Sequence, residues 1–378
     1  MRILYFSRDY SPHDHRFLSA LAHSDHQIGY LRLERGPLQL EDRPLPPQVE
    51  QIHWAGGRSQ FNWRQVLPLR RDLKRVLRAF QPDLIHAGPI QRSAFLVALA
   101  GFRPLVTASW GYDLLIDAHR NRFWDWITRF TLRRSAALVG DCDTIHQLAI
   151  RYGMRPDRIV TFPWGANLEK YVPLPGPKHL SALRQRLGWG TDTFVLLSTR
   201  SWAPLYGVED LARAFVKATQ VIPELRLLML GNGPLAPTIR KIFQQAGLME
   251  QVHFPGQVSQ ERLPEYYQAA DLYVSTSHSD GTSISLLEAL ACGTPVLLSD
   301  IPGNQEWVTE PGQVGWLFAD GNVADLTASI LRAHAARAQA CALGQAARQL
   351  AETRADWKRN FPKLFEAYQI AVGGQPHA

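Results

Sequence analysis

Short apolar runs and longer amphipathic stretches alternate along almost the whole chain. Runs such as residues 194–199 are largely apolar and bounded by turn residues, as expected of buried strands. Stretches such as residues 66–80 place apolar side chains at helical spacing. We predict strands at residues 2–7, 28–33, 83–86, 105–108, 136–140, 159–162, 194–199, 225–230 and 272–275, and helices at residues 15–23, 66–80, 91–100, 144–152, 183–187 and 284–291. This alternation is typical of βαβ units and predicts an α/β fold with helices on both faces of parallel sheets.

Chain length and turn residues predict two domains. A chain of 378 residues exceeds one ordinary core. A stretch rich in Pro and Gly at residues 172–177 is typical of a domain boundary. We therefore predict a first parallel-sheet domain over residues 1–172 and a second over residues 173–352, followed by a C-terminal segment, residues 353–378, whose aromatic side chains share one helical face.

Composition favours an ordinary soluble protein with a substantial interior. Hydrophobic residues make up 46% and charged residues 20% of the chain. No apolar run approaches the ~20 residues that a membrane-spanning helix needs, and the N-terminus lacks the features of a signal peptide. Cys142, Cys292 and Cys341 form no zinc or redox motif, which favours a reducing cytoplasm.

Positive charge is concentrated in the first half. Residues 1–170 contain 24 Lys and Arg against 16 Asp and Glu, whereas the remainder has 17 against 18. No nucleic-acid-binding signature accompanies this excess, so we predict no nucleic-acid partner. An anionic membrane surface or a phosphorylated acceptor is favoured instead. The segment at residues 120–134 combines five Arg with Phe123, Trp126, Ile127 and Phe130 on one helical face, so it either packs on the core or contacts the inner face of a membrane.

The stretch around residues 272–300 predicts a ligand site. A predicted strand leads through a polar loop into a helix, and Gly281, Thr282 and Ser283 lie where the loop becomes the helix. Free backbone N–H groups at the positive end of the helix dipole would stabilise a phosphate there. Asp280 and Glu288 flank this position and could accept hydrogen bonds from sugar hydroxyls, although a helix cap and an exposed acid explain them equally simply. The ligand indicated is a sugar nucleotide.

The same residues carry a resemblance to a known family. Asp280 is separated by seven residues from Glu288, and the sequence continues as Ala-Leu-Ala-Cys-Gly-Thr-Pro-Val. This string resembles the retaining GT-B glycosyltransferases of family four, also called group 1 glycosyl transferases, in which the first acid is more commonly Glu. The likeness extends over essentially the whole chain and is most specific over residues 194–318.

The resemblance implies a fold and an activity. It implies a GT-B fold, in which two Rossmann-like domains face a central cleft and the C-terminal helix crosses back to the first domain. It implies metal-independent transfer of a sugar from a nucleoside diphosphate sugar to a hydroxyl of a carbohydrate or lipid-linked acceptor, with retention of anomeric configuration, in polysaccharide, glycolipid or other glycoconjugate synthesis. No cofactor is expected besides the nucleoside diphosphate sugar, which is a co-substrate. A sugar-nucleotide epimerase and a non-catalytic sugar-nucleotide-binding protein remain alternatives.

The resemblance also assigns donor-side residues. Arg200 matches the family's diphosphate-binding Arg, and Tyr206 occupies the position of the family's Lys. As catalytic residues we predict Asp280, Arg200 and Glu288, and as donor-binding residues Tyr206, Gly231, Asn232, Val258, Leu263, Gly281, Thr282, Ser283, Ile284 and Ser285.

Acceptor contacts are predicted in the first domain. The loop after the first strand of an open α/β sheet faces the ligand crevice, which makes Tyr10, His13 and Arg16 candidates. His86 lies at the end of a predicted strand, where a structural role is equally plausible, and Asp113 matches a family Asp that helix capping explains almost as well.

Three other classes of site are disfavoured. The sequence His13-Asp14-His15 lacks the usual spacing of metal ligands. Asp141 and Asp143 precede a predicted helix and are interpreted as helix-capping residues rather than a metal pair. No Gly-x-Gly-x-x-Gly follows the first strand, which argues against a dehydrogenase.

Overall fold

The computed structural model describes residues 1–36, 41–176 and 178–373. The chain divides into two compact units. The first unit comprises Met1–Phe162 together with Phe361–Ala378, and the second unit comprises Pro163–Asn360. Pro177, the last residue of the predicted boundary stretch, lies outside the described residues.

The first unit is built on a parallel sheet. Seven strands are found in its described part: β1 (Arg2–Ser7), β2 (Gln27–Arg32), β3 (Val49–Gln51), β4 (Leu84–Ala87), β5 (Leu105–Ala108), β6 (Ala137–Gly140) and β7 (Ile159–Thr161). Their order is β3-β2-β1-β4-β5-β6-β7, and every pairing is parallel. Strands β4, β5 and β6 are buried at every position, because helices cover both faces of a parallel sheet. The sequence analysis missed β3.

Helices follow most strands of the first unit. They are α1 (Pro12–Leu21), α2 (Val66–Phe80), α3 (Phe95–Ala100), α4 (Tyr112–Leu115), α5 (Arg122–Leu132) and α6 (Asp143–Arg151). Helix α1 begins three residues before the predicted start, since Ser11 forms a capping box with Asp14 and Pro12 occupies the first turn. The predicted helix at residues 91–100 instead contains a π-helical turn, Ile90–Ala94, before α3.

Helix α5 buries a different face from the one predicted. Phe123 and Trp126 remain 51% and 50% exposed. The buried residues of α5 are Trp124, Ile127, Thr128, Thr131 and Leu132. The core packing predicted as one alternative is therefore confirmed for Ile127. Two aromatic side chains of the predicted apolar face stay in contact with solvent.

The second unit has the same architecture. In its described residues six strands, β8 (Phe194–Ser198), β9 (Leu225–Met229), β10 (Val252–His253), β11 (Leu272–Ser275), β12 (Val296–Ser299) and β13 (Gly315–Phe318), pair in parallel in the order β10-β9-β8-β11-β12-β13. Separate apolar cores lie on its two faces, one containing Leu286 and Leu287 and the other containing Phe215 and Phe243. The prediction of an α/β protein with two parallel-sheet domains is confirmed.

The helices of the second unit complete the layers. They are α7 (Ala182–Leu187), α8 (Val208–Ala218), α9 (Ala236–Gln245), α10 (Leu263–Ala269), α11 (Ile284–Ala291), α12 (Pro302–Gln305), α13 (Val323–Ala335), α14 (Ala340–Arg354) and α15 (Trp357–Asn360). Helix α16 (Lys363–Gly373) then belongs to the first unit. The predicted C-terminal aromatic face is therefore divided between α15 and α16 around Pro362. None of the helices in the described ranges combines the length and apolarity needed to cross a bilayer.

Candidate active site

The start of α11 occupies the position predicted for an anion site. Strand β11 and helix α11 have the predicted bounds, and Ser283 is the N-cap residue with an extended backbone. The side chain of Ser283 makes no capping hydrogen bond. The first N–H groups of an α-helix have no partner within the helix. This helix start can therefore offer N–H donors and a partial positive charge to a ligand.

Arg200 lies at the centre of a polar cluster beside this helix start. Its Nη2 donates to Asp280 Oδ2 at 2.6 Å, and its Nη1 donates to the hydroxyls of Ser283 at 2.8 Å and Ser285 at 3.2 Å. The guanidinium carbon lies 4.4 Å from the centre of the Tyr206 ring. The buried Nε has no hydrogen-bond partner. The structure thus brings together five of the predicted donor-side residues.

The Arg200–Asp280 pair is largely withdrawn from solvent. The Arg200 side chain is 13% exposed and that of Asp280 is 23% exposed. Burial alone would lower the pKa of Arg200, but the Asp280 carboxylate and three nearby tyrosines together outweigh this effect and raise it. Burial also raises the pKa of Asp280, and Arg200 offsets part of the rise. The positive charge of Arg200 is therefore balanced by the carboxylate of Asp280.

Glu288 is oriented by a tyrosine that the sequence analysis did not identify. Glu288 lies in the second turn of α11 and is 5% exposed. Its Oε2 accepts a hydrogen bond of 2.9 Å from the hydroxyl of Tyr267, a residue of α10. Burial raises the pKa of Tyr267, and the nearby carboxylate adds to the rise, so the phenol stays protonated and can donate.

Two more aromatic residues support the loop and were also missed. The hydroxyl of Tyr273 in β11 donates to Ser285 at 2.8 Å. The indole Nε1 of Trp307 donates to Thr282 at 3.3 Å. A buried Tyr or Trp usually places its polar group against a partner. From the sequence, this preference predicts that Tyr273 and Trp307 each make a hydrogen bond, but it does not identify the residue that accepts it.

Close backbone packing shapes the loops around the cluster. A Cβ added at Gly303 would lie 2.5 Å from the carbonyl oxygen of Gly281 and 2.7 Å from that of Asp280. Gly207 precedes α8 with φ +55°, and a Cβ there would lie 2.1 Å from the carbonyl oxygen of Thr276. Glycine is therefore required where these segments meet the donor-side loop.

The remaining donor-side candidates lie outside the Arg200 cluster. Gly231 has φ +88° and donates its N–H to the Gly256 carbonyl at 2.8 Å, while the side chain of Asn232 accepts from the Gly233 N–H at 2.8 Å. Val258 and Leu263 pack with the core that contains Leu286. Ile284 is the first residue of α11.

The acceptor candidates after β1 lie in the first unit. Tyr10 is in the loop, where its hydroxyl contacts His15 Nδ1 at 2.7 Å and the carbonyl of Pro44 at 3.2 Å. It also lines a cavity of about 230 Å³. His13 and Arg16 both lie in α1; His13 preceded the predicted helix and enters it through the earlier start, whereas Arg16 was already within its predicted bounds. The ring centre of His13 lies 5.2 Å from that of Trp110.

His86 and Asp113 are buried in the first unit. His86 is 2% exposed and its Nδ1 lies 2.8 Å from the hydroxyl of Tyr368, while burial lowers its pKa to about 3. Asp113 has no exposed surface and accepts hydrogen bonds from the Ser109 hydroxyl at 2.6 Å and the Ile90 N–H at 3.1 Å. Burial raises the pKa of Asp113 to about 6. Both side chains organise the interior of the unit.

No group of three or more His, Cys, Asp or Glu side chains among the residues that the structure describes is arranged to hold a metal ion. Cys142 is the N-cap residue of α6 and Asp143 its first helical residue, so the interpretation of Asp143 as the cap is wrong.

Sequence comparisons match both units to glycosyltransferase families. The model described as "Glycosyl transferases group 1" matches residues 181–350, and the model described as "Glycosyl transferase 4-like domain" matches residues 13–165. A D-inositol 3-phosphate glycosyltransferase of Geodermatophilus obscurus is 32% identical over 62% of this chain and 52% of its own length. A GDP-mannose-dependent alpha-(1-6)-phosphatidylinositol monomannoside mannosyltransferase of Mycolicibacterium smegmatis is 25% identical over 74% of each chain. The matches thus span about half the length of some curated relatives.

Solved structures show the fold. Sucrose-phosphate synthase from Thermosynechococcus elongatus superposes with a TM-score of 0.81 at 19% identity, covering 99% of this chain and 100% of that one. Anabaena HepE, crystallised with UDP-glucose, gives a TM-score of 0.75 at 21% identity and covers 99% of both chains. These neighbours confirm the predicted GT-B fold with its two Rossmann-like domains. The two family models, which match residues 13–165 and 181–350, show that the chain belongs to the group 1 glycosyltransferases of family four.

Proposed function

We propose that the protein transfers a sugar from a nucleoside diphosphate sugar to an acceptor hydroxyl, with retention of anomeric configuration. One observation carries the proposal. Arg200 lies against Asp280 and two serine hydroxyls at the start of α11, where N–H donors and a guanidinium converge. Such a convergence suits a diphosphate better than a neutral ligand.

The donor would bind in the second unit. Its diphosphate would lie against Arg200, Tyr206 and the N–H groups of Ser283, Ile284 and Ser285. Asp280 would accept hydrogen bonds from hydroxyls of the transferred sugar. On donor binding, Arg200 would exchange part of its contact with Asp280 for contacts with the phosphate oxygens. Its positive charge would then already be in place to stabilise the diphosphate as it leaves.

Glu288 would recognise the donor's ribose. Its carboxyl group is already oriented by Tyr267, so it can accept hydrogen bonds from the ribose hydroxyls without reorganising. No resident metal takes part in the proposed step. Activity that survives a chelator would support this, and activity restored only by a divalent cation would overturn it.

The relatives narrow the choice of donors to test. HepE was crystallised with UDP-glucose, and the Mycolicibacterium relative is described as GDP-mannose-dependent. A panel should therefore contain UDP-sugars and GDP-sugars. A donor bound only by the native state raises the apparent melting temperature, so a thermal-shift screen identifies it.

The decisive experiment incubates the purified protein with the bound donor, with and without candidate acceptors. Release of nucleoside diphosphate that depends on an acceptor supports transfer. An isomerised donor without release supports an epimerase, and binding without either reaction supports a sugar-nucleotide-binding protein. The anomeric configuration of the product, read by NMR, tests retention.

We further propose that the first unit contacts an anionic membrane, where a lipid-linked acceptor would be available for glycoconjugate synthesis. Phe123 and Trp126 of α5 are about half exposed, Leu67 at the start of α2 is 62% exposed, and Arg122 adjoins the aromatic pair. Exposed aromatic side chains next to arginine are typical of interfacial helices. This would place the protein at the inner face of the cell membrane.

Vesicle sedimentation tests the membrane contact. The double substitution Phe123→Ser and Trp126→Ser should reduce binding to phosphatidylglycerol vesicles. Val221→Ser is the matched control because Val221 is 66% exposed but belongs to the second unit. Equal vesicle binding by the wild type, the double variant and Val221→Ser would refute the proposed surface.

A further inference from the structure

The sheet of the first unit has a topological switch point between β1 and β4. These strands are neighbours, yet β2 lies on the other side of β1 and β5 on the other side of β4. The loops that leave β1 and β4 therefore diverge and open a crevice at the carboxyl ends of the strands, where open α/β sheets bind ligands. Arg8 directly follows β1, and Arg92 lies in the π-helical turn after β4.

Arg92 is surrounded by aromatic rings, and it forms no ion pair with any carboxylate of the described residues. Its guanidinium carbon lies 5.2 Å from the ring centres of Phe61 and Trp63 and 5.1 Å from that of Trp124. The side chain is half-buried. Within the described parts of the chain, no carboxylate lies within 4 Å of it, and its side chain donates no hydrogen bond. The rings fix its position and leave its N–H groups available.

The backbone that carries Arg92 is fixed by buried groups. The N–H of Ala94 donates to the Pro89 carbonyl at 3.4 Å, which closes the π-helical turn. Asp113 accepts from the Ile90 N–H, and the amide of Gln91 donates to the Asp113 carbonyl at 2.7 Å and to Thr128 at 2.9 Å. π-Helical turns occur frequently at functional sites. Here the turn presents a preorganised guanidinium.

Arg8 adds a second positive charge from the other side of the crevice. It pairs with Glu34, whose second carboxylate oxygen accepts from the Phe61 N–H at 2.8 Å. The Arg8 side chain is nevertheless 46% exposed. Burial lowers the pKa of Arg92, and the charge of Arg8 lowers it further. Glu34 lies near both arginines, and Asp117, which pairs with Arg120, also acts on Arg92. Three guanidiniums thus lie near two carboxylates, which leaves an excess positive charge for a ligand to neutralise.

We propose that Arg92 and Arg8 form an anion subsite that binds a phosphate group of the acceptor. This assignment rests on the proposed transferase function and adds the chemical class of the acceptor to it. A planar guanidinium binds a phosphate through two parallel hydrogen bonds. The Arg8 side chain is 46% exposed and Arg92 is half-buried, so neither is sealed in the core. The phosphate could belong to a free sugar phosphate or to a lipid headgroup.

Titration with inorganic phosphate tests the subsite directly. The protein would carry Arg200→Gln, which removes the other predicted phosphate ligand, and binding would be measured by calorimetry. In this background Arg92→Gln should weaken phosphate binding roughly tenfold or more, because charge-assisted hydrogen bonds are lost. Arg64→Gln is the control, since Arg64 is exposed in the adjoining segment. Equal affinities of the Arg92→Gln and Arg64→Gln proteins would overturn the proposal.

Arg92→Lys separates the subsite from a folding defect. Lys keeps the charge but loses the bidentate geometry and the flat contact with the three rings. A correctly folded Arg92→Lys protein should therefore bind phosphate with intermediate affinity. Wild-type affinity in this variant and in Arg92→Gln would contradict the assignment.

Vesicles distinguish the two sources of phosphate. If the subsite takes a lipid headgroup, Arg92→Gln should reduce binding to vesicles containing phosphatidic acid. If it takes free phosphates, Arg92→Gln should leave vesicle binding unchanged and lower the affinity for inorganic phosphate measured by calorimetry. Donor binding is measured in parallel on proteins with Arg200 intact. If the protein binds a donor but no phosphate, only the subsite is refuted. If it binds none of the donors, the transferase proposal is refuted, and the phosphate titration still tests the subsite.

Discussion

At the scale of single residues, the donor-side chemistry depends on how buried charges are shared. Arg200 and Asp280 neutralise each other in a poorly solvated position, so the diphosphate of the proposed donor would have to replace a carboxylate rather than water. Tyr206 lies against the guanidinium through its ring and brings no charge. Arg200 therefore carries the charge that a Lys at position 206 would otherwise share.

Glu288 offers a test of ribose recognition. We expect Glu288→Gln to lower donor affinity about tenfold or more, because hydrogen bonds to a charged acceptor are worth ~1.5–3 kcal/mol. The substitution keeps an oxygen that can accept from Tyr267, so the fold should persist. Calorimetry with the donor found in the thermal-shift screen measures the change.

Tyr267→Phe serves as the companion variant for Glu288. It leaves the carboxylate in place and removes only the hydroxyl that orients it. A smaller loss of affinity than in Glu288→Gln is expected. Unchanged donor affinity in Glu288→Gln, in a protein that folds normally, would rule out the ribose contact.

At the scale of elements, the sequence predicted regular structure well and contacts between distant segments poorly. Strand β11 and helix α11 have their predicted bounds because an apolar run and an amphipathic run are separated there by a polar loop with glycine. The start of α1 was misplaced although Ser11, Pro12 and Asp14 carry the signature of a capping box.

Spacing along the chain identified only the part of the candidate site that belongs to one motif, whereas Arg200 and Tyr206 were assigned through the family resemblance. Asp280, Ser283 and Glu288 lie within nine residues of one another, and spacing alone suggests that they meet. Tyr267 and Trp307 come from other segments and meet the motif through tertiary packing. No local pattern encodes which buried tyrosine will orient which carboxylate.

Gly303 tests whether the packing of α12 sets the donor loop. The φ angle of Gly303 is not positive, so an alanine there is hindered only by space. Because a Cβ would lie 2.5 Å from the Gly281 carbonyl oxygen, the loop carrying Asp280 has to shift. We expect Gly303→Ala to weaken donor binding about tenfold and to cost about 1–3 kcal/mol of stability.

Gly190→Ala is the matched control for Gly303→Ala. A Cβ at Gly190 meets nothing within 4 Å, and its φ angle is likewise not positive. This variant should bind the donor as the wild type does. If both variants bind the donor equally well, the backbone of the donor loop tolerates displacement and the proposed constraint is wrong.

At the scale of the whole molecule, each unit has its own sheet and core, and the chain returns to the first unit at its end. Helix α16 buries Leu364, Ala367, Tyr368 and Ala371 there. The hydroxyl of Tyr368 meets the buried His86 of β4. A segment more than 200 residues away in sequence is therefore part of the first unit's core.

Leu364 measures how much α16 contributes to stability. The side chain is fully buried, so Leu364→Ala should lower the free energy of unfolding by about 2–5 kcal/mol. Val372→Ala on the same helix removes a side chain that is 40% exposed and should cost less than about 1 kcal/mol. Urea denaturation followed by circular dichroism compares the two, and similar losses would show that burial of Leu364 contributes little.

His86 makes the stability of the first unit depend on pH. Its pKa is about 3 in the folded protein and near 6.5 in the unfolded chain, so below pH 6.5 the unfolded chain binds the proton more tightly. The neutral imidazole therefore makes its full contribution to the free energy of unfolding above pH 6.5. This contribution declines as the pH falls toward 3. Between pH 7 and pH 5 the wild type should lose about 2 kcal/mol more unfolding free energy than His86→Gln, at roughly 1.4 kcal/mol per pH unit. Tyr368→Phe keeps the imidazole buried and should retain the wild-type slope, whereas parallel pH profiles for wild type and His86→Gln would show that His86 titrates normally in the folded protein.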